Sequence, residues 1–183
     1  MLNDQRHTLV LGGIRSGKTG LAEAQALQQS LPVVYVATAT AGDEEMTQRI
    51  SRHQTLRPDV WGLVEEPLDL AKVLREQGRQ SPVPCLLIDC MSLWVSNLLH
   101  IGDAQFQRQR DAFLEQIESY PGSLIVVSNE TGLGTIGMDP LTRKFCDELG
   151  WLNQALAQRC QHVVLAVAGL SLVLKDSVDN DVE

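Results

Sequence analysis

The chain of 183 residues is 44% hydrophobic and 21% charged, the balance of a soluble globular domain. At this length folding buries about 70% of the unfolded surface, so neither disulfides nor a structural metal is needed for a stable core. A net charge of −8 argues against nucleic acid as the main ligand.

The opening MLNDQRHTLVLGG has too short an apolar run for a signal-peptide core or a spanning helix, which predicts an unexported, cytoplasmic protein without a membrane span. Cys85, Cys90, Cys146 and Cys160 form no CxxC pair and have no histidine at finger-like spacing, so they read as reduced thiols. Short β-branched runs then alternate with helical patterns. The predicted strands are HTLVLG, PVVYVAT, PCLLIDC, SLIVVSN and HVVLAVAG, with WGLVEEP as one additional short strand; helices are predicted over 17–30, 43–56, 67–78, 91–117 and 141–160. REQGRQSPVP, at 75–84, reads as a loop returning to a strand. The pattern predicts one domain over 1–183, a mostly parallel sheet with helices on both faces, ending in a flexible acidic tail at 176–183. In such sheets ligands gather beyond the carboxyl ends of the strands, at GGIRSGKT, ATATAGDEE, DCMSLW, SNETGLG and AGLSLVLK.

The first of these stretches carries the clearest chemistry. Gly12-Gly13-Ile14-Arg15-Ser16-Gly17-Lys18-Thr19 matches GxxxxGK[ST], and it follows an apolar strand and precedes the helix-forming run LAEAQALQQ. Its glycines let several backbone N–H groups face one oxyanion cluster at a helix N-terminus. Lys18 is placed to reach the β- and γ-phosphates, and Thr19 to hold Mg²⁺. A nucleoside triphosphate is the expected ligand, on a P-loop NTPase fold of the RecA-like kind. Asp89, closing CLLID, is either the second Mg²⁺ ligand or the N-cap of the helix that starts near Met91. Glu130, after SLIVVSN, competes for the metal or serves as the base that deprotonates a substrate hydroxyl.

DEEMTQRISRH, at 43–53, has acids in its first turn and Arg49, Arg52 and His53 near its last, which the helix dipole alone explains. Met46, Ile50 and His53 also share one helical face, so the imidazole equally suits a core stripe. Arg57, Pro58, Trp61, Glu65 and Glu66 follow, parts suited to a nucleotide's phosphates, ring face and N–H edge.

At these residues the chain resembles the bifunctional adenosylcobinamide kinase and adenosylcobinamide-phosphate guanylyltransferase family of cobalamin biosynthesis. The likeness runs in order from about residue 8 to 175 through GGIRSGKT, YVATA, EMTQRISRHQTLRPDVW with EEP, LLIDCMSLWVSNLL, VVSNETGLG, RKFCDELGWLNQALA and VAGLSLVLK. The chain departs from the family pattern in GLGTIGMDP, where GxGIVP is common, and at Cys146, where an arginine is usual. The resemblance implies phosphorylation of the hydroxyl on adenosylcobinamide's aminopropanol arm, with ATP or GTP as donor, then transfer of GMP from GTP to give adenosyl-GDP-cobinamide. It implies His53 as the carrier of the guanylyl group, Gly12 to Gly20 as the phosphate cradle, and Thr38, Ala39, Thr40, Gln54, Thr55, Leu56 and Arg57 as the lining of the nucleotide site. Glu65 and Asp89 complete that site, and a homotrimer is the implied assembly. Two other readings of the residues remain: a P-loop small-molecule kinase without nucleotidyl transfer, and a nucleotide-switched binding module.

Overall fold

A computed structural model describes residues 6–39, 58, 60–135 and 137–177. The predicted helix at 43–56 and the predicted site residues Thr40, His53, Gln54, Thr55, Leu56 and Arg57 lie outside them. Seven strands make one sheet: β1 (Thr8–Gly12), β2 (Val33–Ala37), β3 (Gly62–Glu65), β4 (Cys85–Asp89), β5 (Leu124–Asn129), β6 (His162–Val167) and β7 (Leu170–Asp176), in the order β3-β2-β4-β5-β1-β6-β7. All pairings are parallel except β6 with β7. The five described helices are α1 (Lys18–Leu27), α2 (Leu70–Gln77), α3 (Met91–Ile101), α4 (Asp103–Ser119) and α5 (Pro140–Arg159). This is the α/β P-loop architecture expected, with β5 standing between the phosphate-loop strand β1 and the Asp89 strand β4.

The central strands are apolar on both faces because both faces are covered. Side chains alternate across the sheet. Leu9, Leu11, Leu86, Ile88, Leu124 and Val126 point to the face on which α2, α3, α4 and α5 pack. Val10, Tyr35, Leu87, Ile125 and Val127 point to the other, against Ala22 and Ala26 of α1, whose small side chains let that helix approach closely. Trp94 of α3 anchors the larger core: it is fully buried, meets Phe113 edge-on at 5.2 Å between ring centroids, and donates its indole N–H to the Leu68 carbonyl at 2.8 Å.

The local sequence sets the element ends. Asp69 and Asp139 are the N-caps of α2 and α5, accepting from the Lys72 and Thr142 N–H groups at 2.9 and 2.8 Å, and Pro140 opens α5 where no donor is missed. Three expectations change. The helix predicted at 91–117 is two helices, because Gly102 at φ 129° adopts a backbone other residues rarely take. The stretch AGLSLVLK contains a seventh strand, joined to β6 through Ala168 and Gly169, both at positive φ as a two-residue hairpin turn requires. The predicted start of the tail, Asp176, is the last residue of β7 and pairs with Arg6, while residues 178–183 lie outside the described residues.

Register brings the functional stretches together. Gly12 lies opposite Asn129, Ala37 opposite both Asp89 and Glu65, and Asp89 opposite Val127. The carboxyl ends of β1, β2, β3, β4 and β5 therefore make one edge.

Candidate functional site

The chain after β1 turns through Gly13, Ile14, Arg15 and Ser16 into α1. Arg15 takes a left-handed conformation at φ 55°, and Gly17, at φ 91°, is the N-cap of the helix without any side-chain cap bond. No acid stands in the first turn, so the free N–H groups and the positive end of the helix dipole are left for an anion. A Cβ at Gly12 would collide with Ser16 Oγ and come within 2.8 Å of the Ala166 carbonyl; one at Gly17 would meet the Gly169 backbone at 3.0 Å. The β6–β7 turn thus braces the loop from behind, and Gly169 N–H donates to the Ser16 carbonyl at 2.8 Å. Ser16 Oγ is buried and without a partner among the described residues, as suits a hydroxyl set to donate to a phosphate oxygen. Lys18 Nζ donates to the Gly13 carbonyl at 3.1 Å, so its ammonium already lies across the loop. Ile14 and Gly20 are exposed.

Asp89 meets this loop from β4. Its Oδ2 accepts from Thr19 Oγ1 at 3.1 Å and from the Tyr35 hydroxyl at 2.9 Å. It does not cap α3; Cys90 is the N-cap there and makes no side-chain cap bond. The N-cap role is therefore not taken, and Asp89 stands beside the phosphate loop through its contact with Thr19.

The other predicted residues divide. Thr38 is fully buried, and its hydroxyl donates to the Cys90 carbonyl at 2.8 Å while accepting from Cys90 N–H at 2.9 Å, so it ties the end of β2 to the end of β4. Ala39, half-buried, follows it on the same edge. Glu65 is exposed at the end of β3, whereas Glu66 accepts from the Leu68 and Asp69 N–H groups, both at 2.9 Å, and so shapes the turn into α2. Trp61 packs on the α1-side core. Glu130 N–H donates to the Gly12 carbonyl at 3.0 Å, which places Glu130 beside the phosphate loop, and its Oε1 accepts from Gly132 N–H. Among the described residues no three His, Cys, Asp or Glu side chains cluster as a metal site. Thr19 and Asp89 offer instead a pair of hard oxygen donors, the chemistry Mg²⁺ takes when phosphates and water supply its other ligands.

Sequence reasoning missed four contributors. Tyr35 orients Asp89. Asn97 donates to the Thr38 and Pro67 carbonyls at 2.9 and 3.2 Å, holding the loops after β2 and β3 together. Asn153 accepts from Ser128 Oγ at 2.6 Å and donates to the Asn129 carbonyl at 3.0 Å, fixing the end of β5. Gly169 braces the phosphate loop. The run Leu170 to Leu174 carries no sustained polar–apolar alternation that would reveal the hairpin, and nothing local marks the other three.

Residues 8–174 match the family described as Cobinamide kinase / cobinamide phosphate guanyltransferase. The bifunctional adenosylcobalamin biosynthesis protein CobP of Pseudomonas aeruginosa is 49% identical over 168 residues, covering 91% of this chain and 96% of the relative. The bifunctional adenosylcobalamin biosynthesis protein CobU of Escherichia coli is 34% identical over 181 residues, covering 91% and 98%. A solved structure from Pyrococcus horikoshii shares the fold, with a TM-score of 0.54 at 12% identity over 95% of this chain and 88% of that one.

Proposed function

Because the chain belongs to the cobinamide kinase / cobinamide phosphate guanyltransferase family, we propose a division of its residues between two transfers that share one triphosphate cradle. The chain is a nucleotide-using transferase that phosphorylates cobinamide and then places a guanylyl group on that phosphate. The observation that carries the residue assignment is the meeting of Thr19 and Asp89 at 3.1 Å beside Lys18, on the edge where five strands end.

In the kinase step, the loop amides from Gly13 to Thr19 and the N-terminus of α1 bind the β- and γ-phosphates of ATP or GTP. Lys18 leaves the Gly13 carbonyl for the phosphate oxygens and offsets charge that grows on the leaving oxygen. Glu130 uses Oε1 on Gly132 N–H and takes the acceptor hydroxyl's proton on its other oxygen as that hydroxyl attacks the γ-phosphorus, whose bond to the β,γ-bridging oxygen breaks to release the nucleoside diphosphate. Thr19 and Asp89 are the residues that would hold Mg²⁺, which when bound neutralises phosphate charge. Thr38 acts as a brace rather than a contact, and Glu65 is available to a base's N–H edge.

In the second step His53, with the role implied by the family resemblance, attacks the α-phosphorus of GTP as a neutral imidazole. The P–O bond to pyrophosphate breaks as the P–N bond forms. A cobinamide phosphate oxygen then displaces the imidazole, giving the GDP-linked product. By the same resemblance Gln54 to Arg57 complete the nucleotide site, and the positive charge of Arg57 would oppose protonation of the ring and suit a phosphate. Among the described residues no helix is long and apolar enough to cross a membrane. The four thiols, all unpaired, support a cytoplasmic setting. A homotrimer fits the resemblance, and the exposed apolar side chains Leu170, Leu172 and Leu174 of β7 give such an assembly surface to bury.

Two labels on GTP test the reading. With adenosylcobinamide present, γ-label is expected in the first product, and α-label on protein and then in the final product. Acid-labile, alkali-stable α-label should be lost in His53→Asn. Kinase turnover with no α-label on protein at any time would leave a simple kinase, and phosphate release without an acceptor would leave a nucleotide switch.

A further inference from the structure

A cavity of about 360 Å³ lies beside the cradle and has no part in nucleotide binding as described. Ser92, Ser96 and His100 of α3, Asn129 at the end of β5, and Thr142 and Phe145 of α5 line it. It borders the cradle, since Asn129 lies opposite Gly12 in register and the next residue, Glu130, donates its N–H to the Gly12 carbonyl.

The polar atoms of the lining define what fits. Asn129 Oδ1 is buried and has no hydrogen-bond partner among the described residues. An unpaired buried carbonyl costs about 1–3 kcal/mol, so a donor is wanted there. Asn153 prevents easy escape, because it holds the Asn129 backbone carbonyl at 3.0 Å. His100 Nδ1 donates to the Ser96 carbonyl at 2.7 Å, which ties the ring back to its own helix. Among the described residues no lysine or arginine lines the cavity, so the lining they form does not suit a second polyphosphate. The volume is near the lower end of the ~300–1,000 Å³ range of ligand pockets, enough for a side arm and too small for a corrin macrocycle.

A neutral, partly apolar ligand carrying N–H donors meets all of these conditions. We propose that this cavity receives the amide-linked hydroxyalkyl arm of the corrinoid acceptor, with Asn129 Oδ1 accepting an amide N–H from it. Phe145 covers the alkyl part, and the macrocycle stays outside. Asn129 is then a specificity-determining residue that sets the hydroxyl toward the cradle, and Asn153 is a positioning residue that acts through it. The inference rests on the chain being a cobinamide kinase.

The test uses the full chain, with adenosylcobinamide and GTP as substrates, in Asn129→Leu and in Ser96→Trp, which fills the cavity from α3. Each variant is expected to raise KM for adenosylcobinamide at least 10-fold and to leave KM for GTP within about two-fold. Asn129→Leu should also leave the unliganded Tm unchanged or raised, since it removes an orphaned acceptor. A lowered Tm with unchanged KM would make Asn129 structural and overturn the proposal. Folded variants with both KM values unchanged would overturn it too, while normal wild-type turnover kept the kinase reading intact. A wild-type chain that turned over no adenosylcobinamide with any nucleotide would remove both readings together.

Discussion

The cradle and the neighbouring cavity share one sheet edge and recognise by opposite means. The cradle is a continuous run of chain, Gly12 to Gly20, that presents N–H groups, a helix dipole and an ammonium; it selects for charge. The cavity is assembled from α3, β5 and α5 and, among the described residues, offers an unpartnered acceptor and apolar surface with no lysine or arginine; by the proposal above it receives a neutral donor. A kinase that moves a phosphoryl group from an anion to a neutral alcohol needs both kinds of site close together. The hinge between them is the pairing of β1 with β5, which sets Gly12 against Asn129.

That contrast predicts separable failures. The largest effect is expected from Lys18→Ala, which removes the charge-matching donor of the cradle: kcat for phosphorylation should fall about 10³-fold, within the range for loss of one preorganised oxyanion donor, while KM for adenosylcobinamide stays near its wild-type value. Steady-state kinetics varying each substrate in turn checks this, and a matching rise in the corrinoid KM would show that the sites are not separate. Asp89→Asn should cost about 10²-fold in kcat and steepen the Mg²⁺ requirement, measured by titrating the ion at fixed GTP. Tyr35→Phe removes only one of the two hydroxyls on that carboxylate and should cost a few-fold, in line with about 1 kcal/mol for one hydrogen bond.

Asn153→Leu probes the wall between the sites. It leaves the Ser128 hydroxyl and the Asn129 carbonyl without their partner, so unfolding free energy should fall by about 1–3 kcal/mol in a urea titration. The corrinoid KM should rise while the GTP KM changes little.

The smallest effect concerns neither site. His7 is buried, its Nε2 donates to the Ile117 carbonyl at 3.2 Å, and burial pushes its pKa below the ordinary value; burial also lowers that of His162. The unfolded chain therefore binds protons near pH 6.5 that the folded chain refuses, and stability falls as pH drops below about 6.5. The urea midpoint should decline from pH 7 to pH 5, and His7→Leu should flatten that decline.

How much of this was legible in the sequence follows from the same contrast. The cradle could be read because its parts are contiguous and its strand and helix flank it, and Asp89 because it closes an apolar strand. The short WGLVEEP strand was visible as β3 for its apolar pair Leu63-Val64 and its place before a turn. The cavity was not legible, since Ser92, Asn129 and Thr142 are separated by long stretches and only helix packing brings them together. Gly102 went unseen as a break because apolar periodicity continues on both sides, and a lone glycine inside such a pattern is ambiguous until its φ is known. The β7 strand was hidden by its exposure: its side chains are mostly solvent-facing, so no buried alternation marks it. The roles of Thr38 and Glu66 needed hydrogen-bond partners that only the folded chain supplies.

The claim on which the account turns is that one triphosphate site serves both transfers, through Lys18 and His53 together. The direct test is to incubate the chain with α-labelled GTP, digest it under alkaline conditions and identify the labelled peptide. The account predicts label on His53 alone, lost in Lys18→Ala as well as in His53→Asn. Label on another residue, or GDP-linked product formed by His53→Asn at the wild-type rate, would contradict it.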